Sequence, residues 1–274
     1  IMRDSFNKEL INLANENDDL YLLTADIGFQ VFDEFREKFK DRFINMGVAE
    51  ANMISVAAGM TLNNKIPFCY TIIPFLVMRA FEQIRTDLCI QNLPVKLVGV
   101  GGGVSYGTLG PTHHSIVDLA IMRSLPNMTV VSPADPFETK KATKAILKLD
   151  GPVYMRLGKN GEPNLYKKDY QFNIGQAVKI KEGTDVTLVS TGSILKLVMQ
   201  LAGELYKEDI NAEIINIHTI KPFDTESIYN SVKKTKRIIT FEEHNIIGGL
   251  GGAVAETITE FEFHTKQKKY GMKD

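Results

Sequence analysis

The sequence predicts an α/β protein of two consecutive three-layer domains, each built on a mostly parallel sheet. Short apolar runs alternate with segments of helical periodicity along nearly the whole chain, as strands and covering helices do in such sheets. A polar stretch over 158–174 interrupts that alternation, which then restarts. A length of 274 residues at 44% hydrophobic is enough for two ordinary cores. The expected division is a first domain over 1–160, a linker over 161–174 and a second domain over 175–274.

In order, residues 3–17 place Phe6, Leu10, Ile11 and Leu13 at helical spacing, and 20–25 is a short buried strand that ends at Asp26. A helix over 32–39 leads to a strand at 43–45, stopped by Gly47, and Glu50 then heads a helix of small residues over 51–60. A third strand covers 68–71. In 75–91, Phe75, Met78, Phe81, Ile84 and Leu88 recur at three- and four-residue steps, which predicts a helix with Pro74 at its tolerated first turn. The strand at 95–100 opens into a glycine-rich loop, followed by a helix at 116–123, a strand at 128–131, a helix at 136–149 and a strand at 153–156. Beyond the polar stretch come strands at 185–190, 212–217 and 237–241, with helices at 194–207, 224–233 and 251–261. A last strand is expected to begin near Tyr270, so the second domain reads as incomplete at Asp274, just as Ile1 before Met2 suggests a trimmed start or a tag remnant.

With 32 basic and 33 acidic residues the chain has no electrostatic footprint for nucleic acid or an anionic membrane. No charged-then-apolar leader opens it, and no apolar run approaches the roughly 18 residues that span a bilayer. Cys69 and Cys89 lie in apolar segments without metal-ligand spacing, which reads as two reduced core thiols in a cytoplasmic protein.

Two stretches carry chemistry. In 43–50 a carboxylate, Glu50, follows Gly-Val-Ala at a strand-to-helix crossover, where it is either a favourable charge at a helix N-terminus or a buried acid. A carboxyl group buried beside apolar residues can hold a proton near neutral pH. In 107–114, His113 and His114 end a Gly-Pro-constrained loop after a strand, where open α/β sheets bind ligands. Adjacent histidines point apart, so proton transfer by one fits better than a metal held by both, and no metal ligands are expected. The glycines of 101–103 match neither a dinucleotide fingerprint nor a P-loop; they either turn the backbone or let it approach a ligand. The Gly248-Gly249-Leu250-Gly251-Gly252 run before a helix either binds an anion through free amides or packs tightly against a neighbouring subunit. His218 and His244 read as structural and His264 as exposed.

Taken together, Asn45-Met46-Gly47-Val48-Ala49-Glu50, Arg79-Ala80-Phe81-Glu82-Gln83-Ile84-Arg85, Gly110-Pro111-Thr112-His113, Leu125-Pro126-Asn127-Met128 and Pro133-Ala134-Asp135 resemble the pyrimidine-binding domain of the transketolase family. Lys221-Pro222-Phe223-Asp224 and Glu242-Glu243-His244 with Gly248-Gly249-Leu250-Gly251 resemble that family's C-terminal domain. The resemblance implies a thiamine diphosphate-dependent transferase of two-carbon ketol units between sugars. It assigns Glu50 to the ring nitrogen of the aminopyrimidine, where a shared proton favours the tautomer that activates the cofactor carbon, and His113 to the substrate oxygens. Phe75 and Phe81 are the candidates for the aromatic wall on the pyrimidine, blurred by a one-residue shift near Pro74, and Asp26 is a further cofactor candidate. Substrate contacts fall on Arg3, Gln30, Gly101, Leu109, His114 and Lys159.

The resemblance is incomplete in instructive places. The family's Gly-Asp-Gly and downstream Asn, which carry Mg2+ and the diphosphate, occur nowhere in the 274 residues. This implies an N-terminal partner subunit holding Mg2+, with homodimerisation of this chain inside an α2β2 heterotetramer. Leu109 stands where the family places an aspartate that reads a donor hydroxyl, and Gln30, Gly101 and Lys159 replace its serine, histidine and arginine, so an ordinary pentose-phosphate substrate is not expected. The competing readings are the β subunit of a 2-oxo acid dehydrogenase or decarboxylase, which shares this architecture, and a catalytically dead binding partner, against which Glu50 and His113 both stand.

Overall fold

The computed structural model describes residues 1–159, 161–262 and 264–274 and contains two sheets. The strands are, in chain order, β1 (Leu20–Thr24), β2 (Phe43–Asn45), β3 (Ile66–Ile72), β4 (Lys96–Val100), β5 (Thr129–Val131), β6 (Val153–Leu157), β7 (Val178–Lys181), β8 (Val186–Ser190), β9 (Ala212–Asn216), β10 (Thr219–Lys221), β11 (Arg237–Asn245) and β12 (Lys266–Met272). The first sheet has the order β10-β5-β6-β4-β3-β1-β2 and is parallel except for β10; the second has the order β12-β11-β8-β9-β7 and is parallel except for β7. The principal helices are α1 (Met2–Glu16), α2 (Asp33–Lys38), α3 (Glu50–Thr61), α4 (Phe81–Gln83), α5 (Asp118–Ser124), α6 (Pro136–Leu147), α7 (Leu195–Lys207), α8 (Thr225–Thr235) and α9 (Leu250–Glu260). None of the described helices is long and apolar enough to cross a membrane.

The two-residue period of a strand explains why the first sheet's strands read as continuous apolar runs. Leu22, Phe68, Tyr70, Val98 and Met155 point to one face, where they meet Phe6, Leu10 and Ile146; Leu23, Cys69, Leu97 and Tyr154 point to the other, where they meet Met53, Ile54 and Ile84. The second of these cores does not end at the first sheet. It continues through Val189, Ile215, Ile228, Ile238 and Val254, so the two halves of the chain share one interior. Both cysteines are free and buried there, and burial raises both thiols, that of Cys89 to about 11.

Four elements differ from expectation. β7 and β10 are short, polar and antiparallel, so neither has the apolar run that marks a central strand. β12 contains Tyr270 but begins at Lys266: its residues alternate between exposed and half-buried, and its lysines blunt an outer edge. The helix expected over 75–91 is interrupted, with π-turns at Phe75–Arg79 and Ile84–Cys89 on either side of α4.

Candidate functional site

The parallel strands β1, β2, β3, β4 and β6 all end at the same edge of the first sheet, and the loops leaving that edge carry the candidate residues. Asp26 and Gln30 follow β1, Glu50 follows β2, Phe75 and Phe81 follow β3, the 101–115 loop follows β4, and Lys159 follows β6. Arg3 reaches the same edge from the first turn of α1.

Glu50 is the first residue of α3 and only 1% exposed. Its burial matches one of the two readings of the sequence, but it is not a solitary acid. Arg79 Nη1 donates to Glu50 Oε2 at 2.7 Å, and the same guanidinium lies 4.6 Å from the ring centroid of Phe75. Phe75 in turn meets the His113 ring edge-on at 5.2 Å. Four residues from three loops thus form one continuous chain, Glu50, Arg79, Phe75 and His113. Phe75 and Arg79 stand at the two ends of a π-turn, which closes over one residue more than an α-turn.

His113 Nδ1 bonds the Thr112 hydroxyl at 2.9 Å, while His114 is turned the other way and donates from Nε2 to the Gly107 carbonyl at 2.9 Å. The second imidazole therefore fastens the loop. Tyr106 stands 5.5 Å from the His113 ring, carries Lys159 Nζ over its face at 4.3 Å, and has Arg3 as an electrostatic neighbour. Burial raises the Tyr106 phenol against the pull of Arg3. Gly101 has φ +92°, and a Cβ there would collide with the Tyr106 ring. The ring fills the volume that a side chain at 101 would need, so the glycine makes room for Tyr106.

The remaining candidates stay apart from this chain of contacts. Leu109 is 53% exposed on the rim, Gln30 is exposed with a left-handed φ of 66°, and Phe81 packs half-buried on the large core. Asp26 engages Asn45, with its N–H donating to Asn45 Oδ1 at 2.9 Å and Asn45 Nδ2 donating to its Oδ1 at 3.0 Å.

A buried ion pair supports the 101–115 loop from below. Arg156 Nε donates to Asp118 Oδ2 at 2.8 Å, Tyr154 O–H donates to the same oxygen at 2.7 Å, and Arg156 Nη2 donates to the Ser115 and Glu243 carbonyls at 3.0 and 2.9 Å. Burial pushes the Asp118 carboxyl up, but Arg156, His244 and Tyr154 together hold it below the usual carboxylate range. Asp118, Arg156, Arg79 and Tyr106 were all missed from sequence. Only Arg79 left a trace there, as a cation four residues after an aromatic on one helical segment.

The amides that open the helix after the glycine run at 248–252 are engaged within this chain. The Leu250 and Gly251 amides donate to the two oxygens of Glu242 at 2.7 and 2.8 Å, so the anion at this helix N-terminus is the chain's own. Gly249 and Gly251 pack on Glu242, His244, Thr240 and Lys269 of the same chain. Burial raises Glu242 to about 7 and lowers His244 and His218, the latter to about 4; His264 is exposed.

A buried carboxylate and a half-exposed aromatic ring, joined through Arg79, fit an aminopyrimidine, with an acid for its nitrogen and a face for its ring. The backbone at Gly47 lies open beside them in the chain, since a Cβ there meets nothing within 4 Å. Among the described residues no group of three or more His, Cys, Asp or Glu side chains is placed to hold a metal ion.

Comparison with known proteins gives the same pairing of domains. A model of the transketolase pyrimidine-binding domain matches residues 1–163, and one of the transketolase C-terminal domain matches residues 175–274. The chain is 36% identical over 260 residues to a subunit of the apulose-4-phosphate transketolase of Phocaeicola vulgatus, covering 94% of this chain and 83% of that one. It is 38% identical over 260 residues to a 6-deoxy-6-sulfo-D-fructose transketolase subunit of Clostridium sp. (strain MSTE9), covering 94% and 81%. A solved structure described as a split-gene transketolase in an inactive β4 tetramer matches with a TM-score of 0.92 at 39% identity, over 100% of this chain and 89% of that one. Two family domains in the family's order, across essentially the whole sequence, mean that this chain belongs to the transketolase family of thiamine diphosphate-dependent transferases.

Proposed function

We propose that the chain is the C-terminal subunit of a split transketolase, transferring a two-carbon ketol unit between sugar-type substrates. Residues 1–160 take the pyrimidine half of thiamine diphosphate, and 161–174 link them to the C-terminal domain at 175–274. A separate N-terminal subunit supplies the diphosphate and Mg2+ ligands, and two copies of this chain pair within a cytoplasmic α2β2 heterotetramer. The observation that carries the reading is Glu50, a carboxylate 1% exposed at the head of α3 and joined through Arg79 to Phe75 and His113.

When bound, thiamine diphosphate supplies a nucleophilic carbon for ketol transfer. Glu50 holds and returns a proton at the pyrimidine nitrogen, and Phe75 gives the ring a face. His113, with Nδ1 engaged by Thr112, has Nε2 for the substrate oxygens. Arg3 and Lys159, both neighbours of Tyr106, suit an anionic end of the substrate. Supporting a separate partner are the relatives described as subunits and the related β4 tetramer described as inactive. Two reduced, buried cysteines support the compartment. Leu109, together with relatives named for apulose 4-phosphate and 6-deoxy-6-sulfo-D-fructose, supports a donor other than an ordinary pentose phosphate.

Calorimetric titration tests the division of labour. The isolated chain with Mg2+ should show no tight uptake of thiamine diphosphate, and micromolar or tighter binding without a partner would overturn the split.

A further inference from the structure

Arg79 makes the two contacts that the reading above reserves for the pyrimidine. Its guanidinium satisfies the buried Glu50 oxygen at 2.7 Å and covers the Phe75 ring at 4.6 Å, although its own side chain is 46% exposed and has solvent to occupy instead. A planar cation that hydrogen-bonds a carboxylate while stacking on an aromatic face mimics, in shape and contacts, a protonated aminopyrimidine in the same place. Phe75 and Arg79 begin and end one π-turn, and their side chains meet on one side of it.

We propose that Arg79 is the chain's own occupant of the pyrimidine subsite: it keeps Glu50 paired and Phe75 covered in the unloaded subunit and gives up both contacts when the cofactor ring enters. This rests on the proposed function. It makes Arg79 a positioning residue whose withdrawal opposes cofactor binding, so its removal strengthens binding instead of weakening it. It also predicts selectivity, since only a ligand that carries the pyrimidine has to displace Arg79.

The experiment uses the complex reconstituted with its N-terminal subunit, as wild type, Arg79→Ala and Arg79→Lys, each checked for assembly by size-exclusion chromatography. Binding of thiamine diphosphate and of inorganic diphosphate, both with Mg2+, is measured by calorimetry. Arg79→Ala should bind thiamine diphosphate about 3- to 30-fold more tightly, with inorganic diphosphate unchanged within twofold; this range is the order expected for releasing one partly exposed charged contact. Arg79→Lys, which keeps the charge and loses the planar fork, should gain less. An unchanged or weaker affinity for thiamine diphosphate in Arg79→Ala, or an equal gain for both ligands, overturns the inference. A wild-type complex that binds no thiamine diphosphate would instead overturn the proposed function. Should Arg79→Ala fail to assemble, Arg79→Lys decides on the same two ligands.

Discussion

Asp118→Asn removes the negative half of a pair that water hardly reaches, with Asp118 fully buried and Arg156 5% exposed. Deleting one partner of a buried pair leaves the other charge uncompensated, at a cost of about 3–5 kcal/mol. Arg156 keeps the Ser115 and Glu243 carbonyls as acceptors, and the Asn oxygen can still accept one bond, so the lower end, about 3 kcal/mol, is expected. Chemical denaturation followed by far-UV circular dichroism measures that loss. Because Arg156 also holds Ser115, amide exchange at Gly103 and Ser115, which bond each other's carbonyls at 2.9 and 2.8 Å, should speed up in the variant. A depressed carboxyl contributes stability above its unfolded-state value and loses it as pH falls through its folded-state value. The difference between wild type and Asp118→Asn should therefore shrink in acid. A loss below about 1 kcal/mol at neutral pH, with unchanged loop exchange, would refute the claim that this pair supports the loop.

Glu138 should behave in the opposite sense. Burial raises it from the ordinary 4.5 to about 6 despite hydrogen bonds from Tyr170, Ala134, Tyr166 and Asn216, so stability is fully present below about pH 4.5 and declines as pH rises through 6. The total is about 2 kcal/mol at 1.36 kcal/mol per pH unit, and Glu138→Gln should flatten that slope; a slope as steep as wild type would contradict it. In the reconstituted enzyme, Glu50→Gln should leave folding and assembly intact while slowing hydrogen exchange at the cofactor's reactive carbon by about 100-fold or more, and exchange near the wild-type rate would remove Glu50 from its role. Leu109→Asp should improve kcat/KM for xylulose 5-phosphate by about tenfold, the equivalent of about 1.4 kcal/mol from pairing one buried hydroxyl; no gain would mean that Leu109 does not set donor choice.

Much of the first sheet was legible because its strands are buried on both faces, and Leu20 to Thr24 or Lys96 to Val100 announce themselves as short apolar runs. Glu50 and His113 were legible as motif residues, each ending a stretch with glycine punctuation. What surrounds them was not. Arg79 meets Glu50 across 29 residues of sequence, and the π-turn that carries it lies outside the 3.6-residue period that periodicity arguments assume. Tyr106 reads as an ordinary loop tyrosine until Gly101 is seen beneath its ring. Asp118 and Arg156 lie 38 residues apart with no local pattern to join them, and β7 and β10 are antiparallel edge segments whose partners, not whose residues, make them strands.

The placement of β10 bears on how the protein can be divided. Thr219 to Lys221 belong to the later half of the sequence, yet they complete the outer margin of the sheet made by the earlier half, next to Thr129 to Val131. A fragment ending near residue 163 would leave the hydrogen-bonding groups of that margin bare, in a stretch of threonine and valine well suited to cross-chain pairing. Expressed alone, such a fragment should therefore aggregate, and adding the later half in trans should rescue its solubility. The practical boundary for dissecting this chain is set by the exchanged strand and not by the polar stretch that separates the two family domains.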